Sequence, residues 1–247
     1  MCWWIYPLIG ALGGFLAGLL GIGGGVIFVP VLMIFLNNPI EAIATSLASM
    51  TVSTGISTWI HFRENRIDLS TYRKMFPGVL IGSLLGAYLA KDTPQDILRA
   101  LFGLFSILVA LFFILGIRNT TKGATSLTRP IEFFLFGLIT ATFASFLGIG
   151  GGVIALLIFF LMGHSIKSIL GITTILSMTI TYIAILPLVR EVNWGAFAFI
   201  APLSALFAFF GVRASSKIHG HYLEKIFGGF LFITGCILME PTIRSFF

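Results

Sequence analysis

The residues of this chain best suited to chemistry form a glycine cluster written twice. Gly21-Ile22-Gly23-Gly24-Gly25-Val26-Ile27 returns letter for letter as Gly148-Ile149-Gly150-Gly151-Gly152-Val153-Ile154. Four glycines in five residues hold a helix poorly, because each costs about 1 kcal/mol relative to alanine. Each cluster therefore predicts a break, followed by a helix that opens near Val26 or Val153. A helix start presents unpaired backbone N–H groups and the positive end of the helix dipole. Such ends hold small oxyanions without any cationic side chain. The candidate substrate-binding residues are thus Gly23, Gly24, Gly25 and Val26 in the first half, and Gly150, Gly151, Gly152 and Val153 in the second.

Hydroxyls add a second set of donors. Thr45, Ser46, Ser49, Ser53 and Ser57 recur at mostly three- or four-residue intervals, as do Thr173, Thr174, Ser177 and Thr181, so one face of a helix in each half is polar. Many such hydroxyls bond back to their own backbone. Ser46 and Thr173, at equivalent repeat positions, are the strongest candidates, with Ser49 and Ser177 beside them. Among charged residues, Glu41 follows Asn38-Pro39 in the pattern of an N-cap, an N1 proline and an N3 acid. Arg63-Glu64 recurs as Arg190-Glu191 at a segment end. Glu41, Arg63 and Arg190 are the candidates for gating or ion coupling.

Other chemistry finds little support. The cysteines, Cys2 and Cys236, lie near opposite ends of the chain and suit neither a disulfide framework nor a thiolate site. His61, His164, His219 and His221 lack metal-ligand spacing beyond one His-x-His, so no metal is expected. The glycine clusters mimic a dinucleotide fingerprint but have no soluble strand-turn-helix around them. No catalytic cluster is apparent, which argues against an enzyme. No cofactor is expected.

The elements that position these groups lie in lipid. Apolar residues make up 57% of the 247 and charged ones only 10%, with a mean hydropathy of +1.05, too apolar for a water-soluble core to hide. Alternating strand patterns are absent, so helices are expected. The opening Met1-Cys2-Trp3-Trp4-Ile5-Tyr6 shows no basic leader or cleavage pattern and reads as the start of the first membrane segment. Apolar segments run over about 7–20, 24–36, 41–60, 71–90 and 97–117, with counterparts at 131–147, 151–163, 166–189, 194–213 and 222–240. An offset of 127 aligns the first part of the two halves, and an offset of 125 aligns the rest from Pro77 and Pro202 onward. The organisation predicted is a first transmembrane repeat at 1–118, a cytoplasmic linker at 119–130 and a second repeat at 131–247. Each repeat holds a glycine-broken or re-entrant helix pair plus three transmembrane helices. The opening two segments of each half fall short of the roughly 20 residues a crossing needs, which places the glycine tip inside the membrane.

Charge sets the orientation. Where each glycine segment doubles back or crosses twice, eleven of the 15 lysines and arginines fall on one side, and Lys91, Arg99, Arg190 and Arg244 on the other. The positive-inside rule then puts both termini outside the cell membrane. An odd number of crossings per half makes the repeats inverted, a plan shared by many secondary transporters. The net charge of +6 is a topology signal and not a nucleic-acid footprint. The partners expected are a small anionic substrate and membrane lipid. A homo-oligomer is compatible with the sequence, and an anion channel or a membrane-embedded enzyme is the alternative reading.

These residues resemble the TauE/SafE family of membrane permeases. The resemblance spans nearly the whole chain and is carried by the two Gly-x-Gly-Gly-Gly segments, Pro30, the Ala42-Ile43-Ala44-Thr45-Ser46 run, Asp68 and Val192-Asn193-Trp194. The second half departs from the first in having Leu157 for Pro30 and Ile172-Thr173 for Thr45-Ser46. The resemblance implies export of sulfite or of an organosulfur, sulfonate or carboxylate anion.

Overall fold

A computed structural model describes residues 3–115, 129–162, 164, 166–215, 229 and 231–239. Among these residues all regular structure is helical. The first half contains α1 (Ile5–Leu20), α2 (Gly25–Leu36), α3 (Pro39–Arg63), α4 (Leu69–Asp92) and α5 (Gln95–Leu115). The second contains α6 (Pro130–Leu147), α7 (Gly152–Leu161), α8 (Ile166–Leu188), a single 3-10 turn at Val189–Glu191 and α9 (Trp194–Ser215). Residues 231–239 are again helical and fall within the expected segment at 222–240. The linker expected at 119–130 lies, up to residue 128, outside the described residues, as do Cys2, His219 and His221.

Both glycine clusters end one helix and start another. Gly21 and Gly148 cap α1 and α6 in the left-handed conformation, with φ of 65° and 71°, a region open to glycine at little steric cost. The chain then reverses. Gly24 comes back against the carbonyl of Gly13, where an added Cβ would stand 2.7 Å from the oxygen. In the second half the rings of Phe136 on α6 and Phe159 on α7 meet at 4.6 Å. Each cluster is therefore the tip of a helical hairpin. With 16 residues in α1, 12 in α2 and 10 in α7, three of the four hairpin arms are too short to cross a bilayer. The expectation that all four fall short fails for α6, a largely apolar helix of 18 residues that matches a membrane span in length.

The halves touch through reciprocal contacts. A side chain at Gly10 would meet the carbonyl of Ile200 at 2.7 Å, and one at Gly137 would meet that of Met75 at 2.5 Å. Gly10 and Gly137 are repeat equivalents, as are Ile200 and Met75, so the pairing is exchanged across a local two-fold. The same exchange relates Gly86 against Thr142 to Gly211 against Phe15. On this axis Thr54 Oγ1 lies 3.4 Å from Thr181 Oγ1, its counterpart under the 127-residue offset. Thr58 Oγ1 donates to the Thr174 carbonyl at 3.3 Å, so α3 and α8 pass in opposite directions.

The seams are built for close approach. Gly78, Gly82 and Gly86 of α4 place backbone against the carbonyls of Phe134, Leu138 and Thr142 of α6, while Gly10, Gly14 and Gly18 of α1 do the same on α9. Within lipid, association gains nothing from hiding apolar surface, so such small-residue stripes let dispersion act between backbones. The outer surface is correspondingly apolar: Leu104, Leu108 and Leu115 of α5 and Leu186 of α8 are exposed, the last at 66%. Among the described residues, four helices are apolar and long enough to cross a membrane by length and composition.

Candidate functional site

The two glycine tips meet at the centre of the fold. Gly25, the first residue of α2, packs against the carbonyl of Gly148 and the Cα of Ile149. Gly152, the first residue of α7, packs against the carbonyl of Gly21 and the Cα of Ile22. Gly23, Gly24, Gly25, Val26, Gly150, Gly151, Gly152 and Val153 are all buried. Left-handed φ values of 83° and 73° at Gly23 and Gly24, and of 74° and 78° at Gly150 and Gly151, let the chain turn within four residues. Two helix N-termini are thereby delivered to one place. The Gly152 N–H folds onto the Gly150 carbonyl at 3.0 Å.

The hydroxyl helices reach across to the tip of the opposite half. Ser46 Oγ donates to the Gly148 carbonyl at 3.0 Å. Thr173 Oγ1 donates to Leu170 of its own helix at 3.1 Å, yet stands beside Gly21, the counterpart of Gly148. Most other hydroxyls satisfy themselves locally: Ser53 on Met50, Ser57 on Ser53, Thr174 on Leu170 and Thr181 on Met178. Ser49 and Ser177 differ. Both are fully buried, and neither hydroxyl has a hydrogen-bond partner. Ser177 Oγ faces the tips, where a Cβ on Gly152 would stand 2.5 Å from it and one on Gly23 3.6 Å from it.

The charged candidates lie elsewhere. Glu41 takes its place at the start of α3, its N–H donating to Asn38 Oδ1 at 3.4 Å. Its carboxylate also accepts from Asn193 Nδ2 at 2.8 Å. Arg63 is exposed and stacks over Trp59 at 4.3 Å; Arg190 is exposed in the 3-10 turn. Each stands 13 residues past Met50 or Ser177 respectively, about 20 Å further along at 1.5 Å per residue. The repeated Arg-Glu pair is not an ion pair in the first half, because Glu64 turns to Arg66 at 3.0 Å. Adjacent residues on a helix do not face each other.

Three features lay beyond sequence reasoning. Met50 fills the space between the tips, its methyl touching Gly23 and Gly150 and its sulfur touching Gly25. Its counterpart is Ser177, so a mismatch in the repeat register was the available signal. His61 is fully buried with neither ring nitrogen hydrogen-bonded, which no pattern announced. Finally, the two ends of the molecule differ. Asn193 caps α9 by accepting from the Ala196 N–H at 2.9 Å, donates its own N–H to Thr45 Oγ1 at 2.9 Å, and holds Glu41. Together these bonds clasp α9 to α3. The equivalent Asp68 instead turns its carboxylate onto Ser70 and Thr71 of its own helix, and Ile172 replaces Thr45. A cleft of about 190 Å³ opens there, lined by Arg66, Asp68, Thr71 and His164 with Phe159 as one wall.

The family described as sulfite exporter TauE/SafE matches residues 6–238. The chain belongs to the TauE/SafE family. Among its relatives, a "Probable membrane transporter protein" of Haemophilus influenzae is 28% identical, covering 92% of this chain and 94% of the relative. The "Probable membrane transporter protein YunE" of Bacillus subtilis is 27% identical over 98% of both chains. YfcA of Escherichia coli K12, also named a probable membrane transporter protein, is 31% identical over 43% of this chain and 39% of its own length. No solved structure matches the chain. This TauE/SafE protein is accordingly a membrane transporter, and its family resemblance covers both hairpins, both hydroxyl helices and the clasp.

Proposed function

We propose that this protein is a secondary transporter for a small anion, sulfite or an organosulfur, sulfonate or carboxylate anion, exposed alternately to the two membrane sides at the junction of the glycine tips. The observation that carries this reading is the convergence of two helix N-termini, at Gly25 and Gly152, on one buried point ringed by hydroxyls. Backbone donors and dipole ends supply the attraction for an anion. Ser46, Ser49, Thr173 and Ser177 supply further donors, with Gly23, Gly24, Val26, Gly150, Gly151 and Val153 shaping the cradle. Glu41 acts at the clasp. Arg63 and Arg190 mark the two membrane boundaries.

The antiparallel passage of α3 and α8 supports an axis lying in the membrane plane, and hence inverted repeats. The fold-back of both hairpins supports the arrangement with eleven basic residues on the cytoplasmic side. In that arrangement the clasp faces outside and the cleft faces the cytoplasm, with both termini outside the inner or plasma membrane. Export is the direction that the family description favours. The test uses purified protein in liposomes preloaded with unlabelled sulfite, with labelled sulfite added outside. Saturable uptake driven by counterflow is expected. Flux that never saturates and shows no counterflow would make the protein a channel, and chemically altered sulfite would make it an enzyme.

A further inference from the structure

One hydroxyl at the tip junction lacks an acceptor. Ser177 Oγ is buried without a partner, and an orphaned hydroxyl is costly to keep out of water. At the helix starts the Gly152 N–H turns back onto the Gly150 carbonyl and the Ile27 N–H onto the Gly24 carbonyl, whereas the N–H groups of Val26 and Val153 have no acceptor within their own helices. Ser46 Oγ divides itself between the Gly148 carbonyl and the sulfur of Met50, 3.7 Å away. What stands among these donors is a thioether, a weak acceptor. Met50 is fully buried and reaches both tips at once.

Buried donors, one of them without an acceptor, gathered around a flexible apolar side chain are what an anion site looks like when its own wall occupies it. Methionine suits that role, since three rotatable bonds let it leave without moving backbone. Its side chain has as many heavy atoms as sulfite. Its repeat counterpart, Ser177, is short and adds a hydroxyl instead of filling space. The local two-fold is thus broken at a pair of positions that touches both tips.

We propose that Met50 occupies the anion site in this conformation and must swing aside for the anion to enter, so that its bulk sets the largest anion accepted. The inference rests on the tip junction being the anion site.

The experiment compares sulfite with methane-, ethane- and propanesulfonate in counterflow across liposomes. It uses the wild type, Met50→Ala, Met50→Ser, the volume-preserving Met50→Leu, and Ser177→Ala, each checked by size exclusion. Met50→Ala and Met50→Ser should raise the propanesulfonate-to-sulfite rate ratio about tenfold, the lower end of what a single methylene is worth in a shape-selective pocket. Met50→Leu should keep the wild-type ratio. An unchanged ratio in Met50→Ala and Met50→Ser, with sulfite affinity weakened in Ser177→Ala, overturns the role of Met50 and leaves the site in place. Relaxed preference in Met50→Leu as well overturns it too, because loose packing and not lost volume would then be the cause. If neither Met50 nor Ser177 substitutions alter affinity or selectivity, or if the wild type moves none of the probes, the anion site is not at the tips and the inference falls with it.

Discussion

Asn193→Asp isolates the clasp with a change of one side-chain group. The new carboxylate keeps the oxygen that accepts from the Ala196 N–H, so the cap on α9 survives. It loses the amide donor that meets Glu41 at 2.8 Å and sets two carboxylates against each other. A hydrogen bond to a charged group contributes about 1.5–3 kcal/mol. Repulsion between unit charges 4 Å apart adds at most about 4 kcal/mol near a protein surface, and the half-exposed setting of Glu41 screens much of that. The expected net destabilisation is about 2–4 kcal/mol, a loss of about 5–15 °C in Tm for a chain of this size. Two carboxylates in contact can share a proton, and the pair binds it more tightly in the folded state than when unfolded. The penalty should therefore shrink as pH falls and be full at neutral pH. Thermal unfolding in detergent at pH 5 and pH 7.5 reads this directly. Adding Glu41→Gln should restore most of the loss, since the amide and carboxylate then merely exchange places. An Asn193→Asp protein that melts with the wild type at pH 7.5, or one that Glu41→Gln fails to rescue, would refute the clasp.

Ser46→Ala should weaken anion binding by about 0.5–1.5 kcal/mol, the net worth of one hydrogen bond, and by more than Thr173→Ala, because Ser46 alone bonds the opposite tip; calorimetric titration of both variants with sulfite compares them. Arg63→Gln and Arg190→Gln should each change affinity and stability by no more than about 0.5 kcal/mol, as exposed positions usually do, and an arginine variant that abolishes binding in the same titration would relocate the site to the interface. Asp68→Ala should cost about 1 kcal/mol for the lost cap of α4, measured by chemical or thermal unfolding. The Thr71 hydroxyl and the backbone N–H groups of Thr71 and Ser70 hold the Asp68 carboxyl below its usual range. Its contribution is thus present above the ordinary carboxylate range and lost as pH falls through the lower folded value, so Asp68→Asn should keep the cap at neutral pH and flatten that acid limb.

The parts legible in the sequence were those with local causes. The glycine breaks follow from backbone sterics, and the helix start at Asn38-Pro39 follows from a side chain that accepts from the next turn. The repeat register also put Ser46 and Thr173 at equivalent positions, since a duplicated segment that folds alike must put equivalent residues in equivalent places. What tertiary structure decided has no local cause. A glycine break permits the chain to continue or to reverse, and only the return of Gly24 to Gly13 and of Phe159 to Phe136 made both clusters hairpins. Glu41 could be read as an N3 acid, but its bond to Asn193 joins residues 152 positions apart. Glu64 chose Arg66 over Arg63 because neighbours on a helix point apart. Met50 looked like any apolar residue of a helix; its place between the tips arises from where two hairpins and two crossing helices converge, and packing among four elements is invisible to the pattern of any one.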